Sequence, residues 1–340
     1  MASVNEDEDI KLGVLLPIGQ SQWGQGTDPR DVVGFATEAE DLGYSSLWVN
    51  DYLLTPRIEA LTMLAAAAAV TRHVTLGTAT LLPVLRRPVQ AAQTLASIDL
   101  LSGGRLVLAV GAAFPGRFGV PQHELSQVPW EHRFTRLDET VALWRQLWTP
   151  DSATSFHGKV LAFDALPPMT PAFRPGGPPV WLGGGSPSAL RRTGRRYDGW
   201  LPYPPEPAAY AEGLAAIRQA AVCAGRPAGA ITPALFVSVA ITETVESGRR
   251  LLEEFAQASY GMPVAQLETI QALAAGPLEH VAARLRDYAA AGTRHFVCRI
   301  ATTSLRTQRQ QLAELIKLTS VLTRSGLGPE SRANPRRPAD

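Results

Sequence analysis

Cysteine is scarce in this chain: its 340 residues include two, Cys223 and Cys298. They stand in a helix-like and a strand-like segment with no metal-ligand spacing around them. Neither a disulfide framework nor a zinc module is therefore indicated, and both are expected as buried thiols. An excess of charge of one sign is also missing. Thirty-two basic residues against 31 acidic ones leave a net charge of +1, which removes the electrostatic case for nucleic acid or an anionic membrane surface and favours a small-molecule partner. Long apolar runs are absent too: the alanine-rich stretch 64–70 is too short to span a bilayer and reads as a helix. The opening MASVNEDEDI is acidic and lacks the basic and apolar regions of a secretory signal, so a cytoplasmic location is the expectation. No tandem repeat is visible.

What remains is a chain 45% hydrophobic and 19% charged, enough to bury one large core. Apolar strand candidates fall at 11–17, 46–51, 73–80, 105–111, 179–184, 199–203, 233–241 and 295–301. Helical patterns at 29–42, 59–71, 88–101, 133–148, 187–196, 207–224, 244–260, 277–291 and 307–325 separate most of them. Eight strands alternating with helices point to an α/β fold with a parallel sheet closed into a TIM (β/α)8 barrel. Two insertions interrupt the alternation: 149–178, with SFHGKVLAFD read as a small hairpin, and 260–276, with PVAQLETIQALA read as a short helix. Both are expected over the active face. The barrel domain spans 10–325, between a mobile acidic start at 1–9 and a mobile tail at 326–340.

One repeat, residues 74–113, is especially legible. A β-branched run gives way to a loop marked by Pro83 and Pro88, then to a helix that stops at Gly103 and Gly104, which can take the positive φ of a C-cap. A helix ending in LSGGR enters its next strand at that strand's N-terminal end, the face that carries stability in such barrels, so this motif is read as structural. The chemistry falls at the other end, at Gly111, Ala112 and Ala113. These small residues either form a tight turn or leave a bed for a flat ring.

The run LGTATLLPVLRRPVQAAQTLASIDLLSGGRLVLAVG resembles the pattern of the bacterial luciferase-like oxidoreductases, which use FMN or a deazaflavin. The resemblance covers roughly 11–301 and implies a luciferase-like TIM barrel with insertions. It further implies a non-proline cis peptide under the ring at Ala79–Thr80, and an acidic residue near the cofactor at Asp51. In many relatives a histidine follows that acid, whereas here Tyr52 stands in its place. A glutamate found after the fourth strand in some relatives is replaced by Phe114, read as an apolar wall of the substrate pocket.

The segment PPVWLGGGSPSALRRTGRRYDGW supplies a second site. A strand runs into Gly183, Gly184 and Gly185, then Ser186 occupies an N-cap and Pro187 the first helical position. Spacing alone fits either an ordinary capped surface helix or an anion held by free amides and the helix dipole, with Arg191 or Arg192 adding charge. The resemblance places the cofactor phosphate there. His132, near the start of WEHRFTRLDETVALWRQLW, is a further catalytic candidate, and Glu139 on that helix is read as the salt-bridge partner of a barrel arginine. Arg299, inside the strand HFVCRIA, should be paired or face a ligand, which makes it a substrate or phosphate candidate.

The resemblance therefore implies a monooxygenase that takes reduced FMN from a separate flavin reductase and uses O2 on a small organic substrate. Two alternatives stand beside it: a hydride-transfer enzyme using the deazaflavin coenzyme F-420, and a non-catalytic flavin-binding protein. Homo-oligomerisation is compatible with each.

Overall fold

The computed structural model describes residues 10–151 and 154–323; the expected mobile segments 1–9 and 326–340 lie outside the described residues. Eleven strands form: β1 (Lys11–Leu15), β2 (Ser46–Val49), β3 (Thr75–Leu81), β4 (Leu106–Val110), β5 (Phe156–His157), β6 (Ala162–Phe163), β7 (Val180–Leu182), β8 (Gly199–Trp200), β9 (Thr232–Ile241), β10 (Leu273–Gly276) and β11 (His295–Ile300). Eight of them, in the ring β1-β2-β3-β4-β7-β8-β9-β11, pair in parallel and close on β1. These are the eight expected strands. The expected helices surround them, except that the last pattern, 307–325, forms two helices, Leu305–Leu315 and Leu318–Thr323. Among the described residues no helix is long and apolar enough to cross a membrane.

Two indoles fill the barrel. Trp48 on β2 and Trp181 on β7 lie with ring centroids 5.3 Å apart, packed with Leu15, Ala109, Phe236 and Val297. Glycines make room for them. Gly77 is the register partner of Trp48, and a Cβ on it would fall 2.3 Å from that ring; Gly199 is the partner of Trp181, with the same clash at 2.4 Å. His295, at the start of β11, presents an edge to both indoles at 5.5 Å and lies 2.7 Å from the Ser46 hydroxyl, which also accepts the Trp48 indole N–H.

The N-terminal face is tied by backbone contacts, as the reading of LSGGR requires. Gly103 and Gly104 have φ of 70° and 79°, and a Cβ on Gly104 would strike Phe173 at 2.3 Å. Arg105 donates to the carbonyls of Ala68, Thr71, Val74 and Ser102 and to the Thr71 hydroxyl, binding the end of one helix to the start of β3.

Several expectations need correction. The insertion 149–178 does contain a hairpin, β5 with β6, but it does not cover the active face. It connects a helix to the N-terminal end of β7, so it must lie on the opposite face, where Phe173 packs on Gly104 and its amide donates to Asp99. Glu139 forms no salt bridge among the described residues; its carboxylate accepts the amides of Lys159, Val160 and Leu161 and shapes the hairpin turn. Cys223 is exposed, and only Cys298 is buried.

The second insertion is also more than a helix. Its helical part shrinks to Val264–Leu267, and the end of PVAQLETIQALA belongs to β10 instead. The cause is the length of β9. Its start pairs with the two-residue β8, which leaves the rest of that edge uncovered, and β10 pairs with Ser238–Ile241 to satisfy it. The amide of Thr242 then bonds the carbonyl of Gly276 at 2.9 Å, so the excursion between them leaves and returns at one point.

Burial pushes the His295 imidazole down to about 3, whereas in the unfolded chain it titrates near 6.5. The unfolded state thus takes up the proton first. This contribution to stability is complete above about pH 6.5 and is lost as the pH falls toward about 3. Urea unfolding should therefore show about 2 kcal/mol more loss between pH 6.5 and 5 in the parent than in His295→Gln. Equal pH slopes would show that this ring is not kept neutral by the core.

Candidate active site

The strand C-termini build a floor of small groups. The Ala79–Thr80 peptide is cis, and the β3–β4 register shifts between Ala79 and Leu81. Thr80 sits between neighbouring strand ends: a Cβ on Gly111 would lie 3.1 Å from its Oγ1, and one on Gly183 would lie 3.2 Å from its Cγ2. Ala112 is buried and Ala113 adopts φ of 67°, a left-handed residue that turns the chain away from β4. Ala79, Thr80, Gly111, Ala112, Ala113 and Gly183 thus lie at adjoining strand ends. The next residue, Phe114, is 42% exposed and stands 6.5 Å from the ring of Tyr203, beyond β8.

Beside this floor the chain after β7 is open. Gly184 has φ of 92°, and its carbonyl accepts the Trp200 indole N–H at 2.9 Å. Ser186 caps the helix Pro187–Arg196 through the Ala189 amide. A Cβ on Gly185 would meet nothing within 4 Å. The amides of Gly185, Ser186 and Ser188 have no acceptor among the described residues. Arg191, on the same helix, is exposed and unpaired among the described residues, while Arg192 is bound to Asp138 at 2.8 Å. Of the two arginines only Arg191 is available to an anion.

Across the mouth, the expected acid is already occupied. Asp51 is nearly buried, and its carboxylate accepts the Leu82 amide and both Nη groups of Arg86, which also binds Glu59. Those partners engage both oxygens, so Asp51 clamps β2 to the loop after β3, and the acid expected near the cofactor has structural partners of its own. His132 stands apart from these residues. It is an exposed left-handed residue that starts the helix Arg133–Leu147, and its side chain forms no cap bond and reaches none of the other candidates.

Tyr52 is half-buried, with the Arg57 guanidinium 5.2 Å from its ring centre. Burial raises its hydroxyl above the ordinary tyrosine value, so it stays protonated at neutral pH. Arg299 is 8% exposed; it donates to the Tyr260 hydroxyl at 2.8 Å and lies over Phe255. Arg117 donates to the carbonyl of Tyr260, tying the loop after β4 to the end of the helix Val245–Tyr260.

Sequence reasoning missed Arg57, Tyr260 and Asn50. Arg57 follows Thr55-Pro56 in a loop where arginine is ordinarily solvated, and Tyr260 merely looked like the end of a helix. Asn50 directly precedes Asp51 after β2, and its Oδ1 is buried without a partner among the described residues.

The family model described as luciferase-like monooxygenase matches residues 10–295. The chain is 34% identical over 196 residues to an F420-dependent glucose-6-phosphate dehydrogenase of Amycolatopsis mediterranei (strain U-32), covering 55% of this chain and 57% of that one. It thus spans little more than half the length of that relative. A protein of the same description from Kineococcus radiotolerans is 29% identical over 317 residues, covering 84% and 91%. In fold the chain is similar to an F420-dependent secondary alcohol dehydrogenase solved with an F420–acetone adduct, with a TM-score of 0.77, 19% identity and coverage of 92% and 99%. It is equally similar to the monooxygenase RslO1 from Streptomyces bottropensis, at 0.76, 20%, 94% and 100%.

The clamp reading of Asp51 separates two otherwise similar substitutions. Asp51→Asn leaves a largely buried guanidinium without its main counter-ion and should cost about 3 kcal/mol. Glu59→Gln, at the half-exposed side of the same arginine, should cost less than about 1 kcal/mol. Chemical denaturation of both checks the difference, and similar losses would remove the clamp.

Proposed function

The chain belongs to the luciferase-like monooxygenase family, and on that footing we propose that it is a deazaflavin-dependent oxidoreductase acting on a small organic substrate. The floor of Thr80, Gly111, Ala112 and Gly183 beside the free amides of Gly185 and Ser186 carries this reading. A flat ring needs a bed without side chains, and a phosphate needs unpaired donors within reach of it. The buried, unpartnered Asn50 Oδ1 adds an acceptor for a ring N–H. Both cofactors considered from the sequence fit such a bed. The description of the relatives as F420-dependent, one of them along most of its length, supports the deazaflavin over reduced FMN. A flavin reductase has no part in this reading.

In it, Gly184, Gly185, Ser186 and Arg191 hold the cofactor phosphate, and the strand ends support the ring. When bound, the cofactor supplies hydride chemistry. The chain supplies the proton. Tyr52, kept neutral by burial, donates from its hydroxyl to the substrate atom that gains electron density. A protonated donor suits reduction of the substrate. The histidine and glutamate that the resemblance implies for sugar-phosphate oxidation are replaced by Tyr52 and Phe114, so glucose 6-phosphate is not the substrate we assign. Phe114 and Tyr203 provide an apolar wall.

Fluorescence titration should give at least about tenfold tighter binding of F420 than of FMN. Because a Cβ on Gly185 enters open space, Gly185→Val should leave the melting temperature unchanged while weakening F420 by about 100-fold, as its side chain fills the phosphate position. Tighter binding of FMN, with oxygen uptake once it is reduced, would return the reading to a monooxygenase. Unchanged F420 affinity in the variant would move the phosphate elsewhere.

A further inference from the structure

A cleft of about 390 Å³ opens at the barrel mouth between the loop after β1, the loop after β2 and the end of β11. In the ring of eight strands these elements lie opposite β7, and so across the mouth from the glycine turn. The cleft is lined by Gln20, Gln22, Thr55, Arg57, Ser259 and Arg299, with no carboxylate among its lining residues. Its two arginines face each other without a counter-ion: neither forms a salt bridge among the described residues. The nearest acid, Asp51, is held by Arg86.

Four buried donors in this cleft have no partner, namely Nε and Nη1 of Arg57, Nε of Arg299 and the Ser259 hydroxyl. The remaining bonds hold the guanidiniums in place, from Arg57 to the Thr55 hydroxyl at 2.7 Å and from Arg299 to the Tyr260 hydroxyl at 2.8 Å. Burial and the neighbouring Arg299 lower Arg57 to about 10, still fully charged at neutral pH. Two desolvated cations with orphaned N–H groups are costly to keep together unless an anion joins them. An oxyanion, with several acceptor lone pairs, supplies the counter-charge that both guanidiniums lack.

We infer that Arg57, Arg299 and Ser259 form an oxyanion subsite that receives the phosphate or carboxylate group of the substrate. The assignment to the substrate rests on the proposed cofactor placement; the anion site itself does not. Tyr52, whose ring lies against Arg57, follows β2 next to the subsite. An anionic tail bound at the two arginines would therefore bring the rest of the molecule past the tyrosine hydroxyl.

Inorganic phosphate is the probe, added to the full chain at constant ionic strength with chloride as the control. Phosphate should raise the melting temperature saturably, and calorimetric titration should give an affinity at least about tenfold weaker in Arg57→Gln and in Arg299→Met. Arg57→Gln has a second signature. It removes a repulsion, so without phosphate its melting temperature should equal or exceed that of the parent, which keeps the test valid even if the more buried Arg299 variant fails to fold. Gly185→Val separates this site from the glycine turn and should retain the phosphate response. Loss of that response in Gly185→Val, or its persistence in Arg57→Gln, overturns the subsite. F420 affinity in Arg57→Gln identifies the occupant. Unchanged affinity supports a substrate group, and a tenfold loss overturns that assignment in favour of an acidic part of the cofactor. If F420 fails to bind the parent while phosphate still distinguishes Arg57→Gln, the cofactor reading falls and the anion site stands.

Discussion

The packing of Trp48 against Trp181 decides where everything else in this molecule can be. Two indoles across the axis leave no bore, and glycines on the paired strands make the space they need. A flat ligand cannot sink into such a barrel. At the strand ends above the indoles, Thr80, Gly111 and Gly183 approach one another. The neutral His295 and Ser46 below complete the plug with hydrogen bonds instead of charges, so the interior remains dense without an internal ion pair.

Charge is sorted by position. Arg105 on the N-terminal face and Arg86 beside Asp51 have partners arranged around them, and each joins two elements. Arg57 and Arg299 are held in position by hydroxyls and aromatic rings but are not neutralised. The difference is physical: a carbonyl or carboxylate shell satisfies a guanidinium, whereas an aromatic face compensates only part of its lost hydration. The mouth therefore has an amide-lined cradle on one side and two cations on the other, both favourable to anions, with uncharged small residues between them.

The fold was readable because periodicity and punctuation agree. Every barrel strand announced itself by an apolar run, the glycines of LSGGR and Gly184 of GGGSP fell where the backbone takes positive φ, and Ser186 fell at the helix cap. β10 escaped because LAAG has no strand signature of its own; it pairs only because the overlong β9 offers a free edge. The site was less legible. Its backbone parts were marked by small residues, but whether a side chain is free or bound is a tertiary property. Asp51 looked like a reactive acid and Arg57 like a loop residue, and the positions of Arg86 and Arg299 reversed those meanings. His132 was ambiguous for the same reason, since a helix-start histidine facing a pocket and one facing solvent look alike until the exposure is known.

The bond between Thr242 and Gly276 makes the intervening segment a module. Its two ends already meet on the barrel, so a change of length in its loops adds little closure entropy as long as Leu252, Phe255 and Ala256 keep their packing with Ala240 and Ala301. The same excursion carries Tyr260 and Ser259 to the mouth. Part of the mouth is therefore carried on a segment whose two ends are already joined, while Arg57 and Arg299 belong to the barrel's own loop and strand.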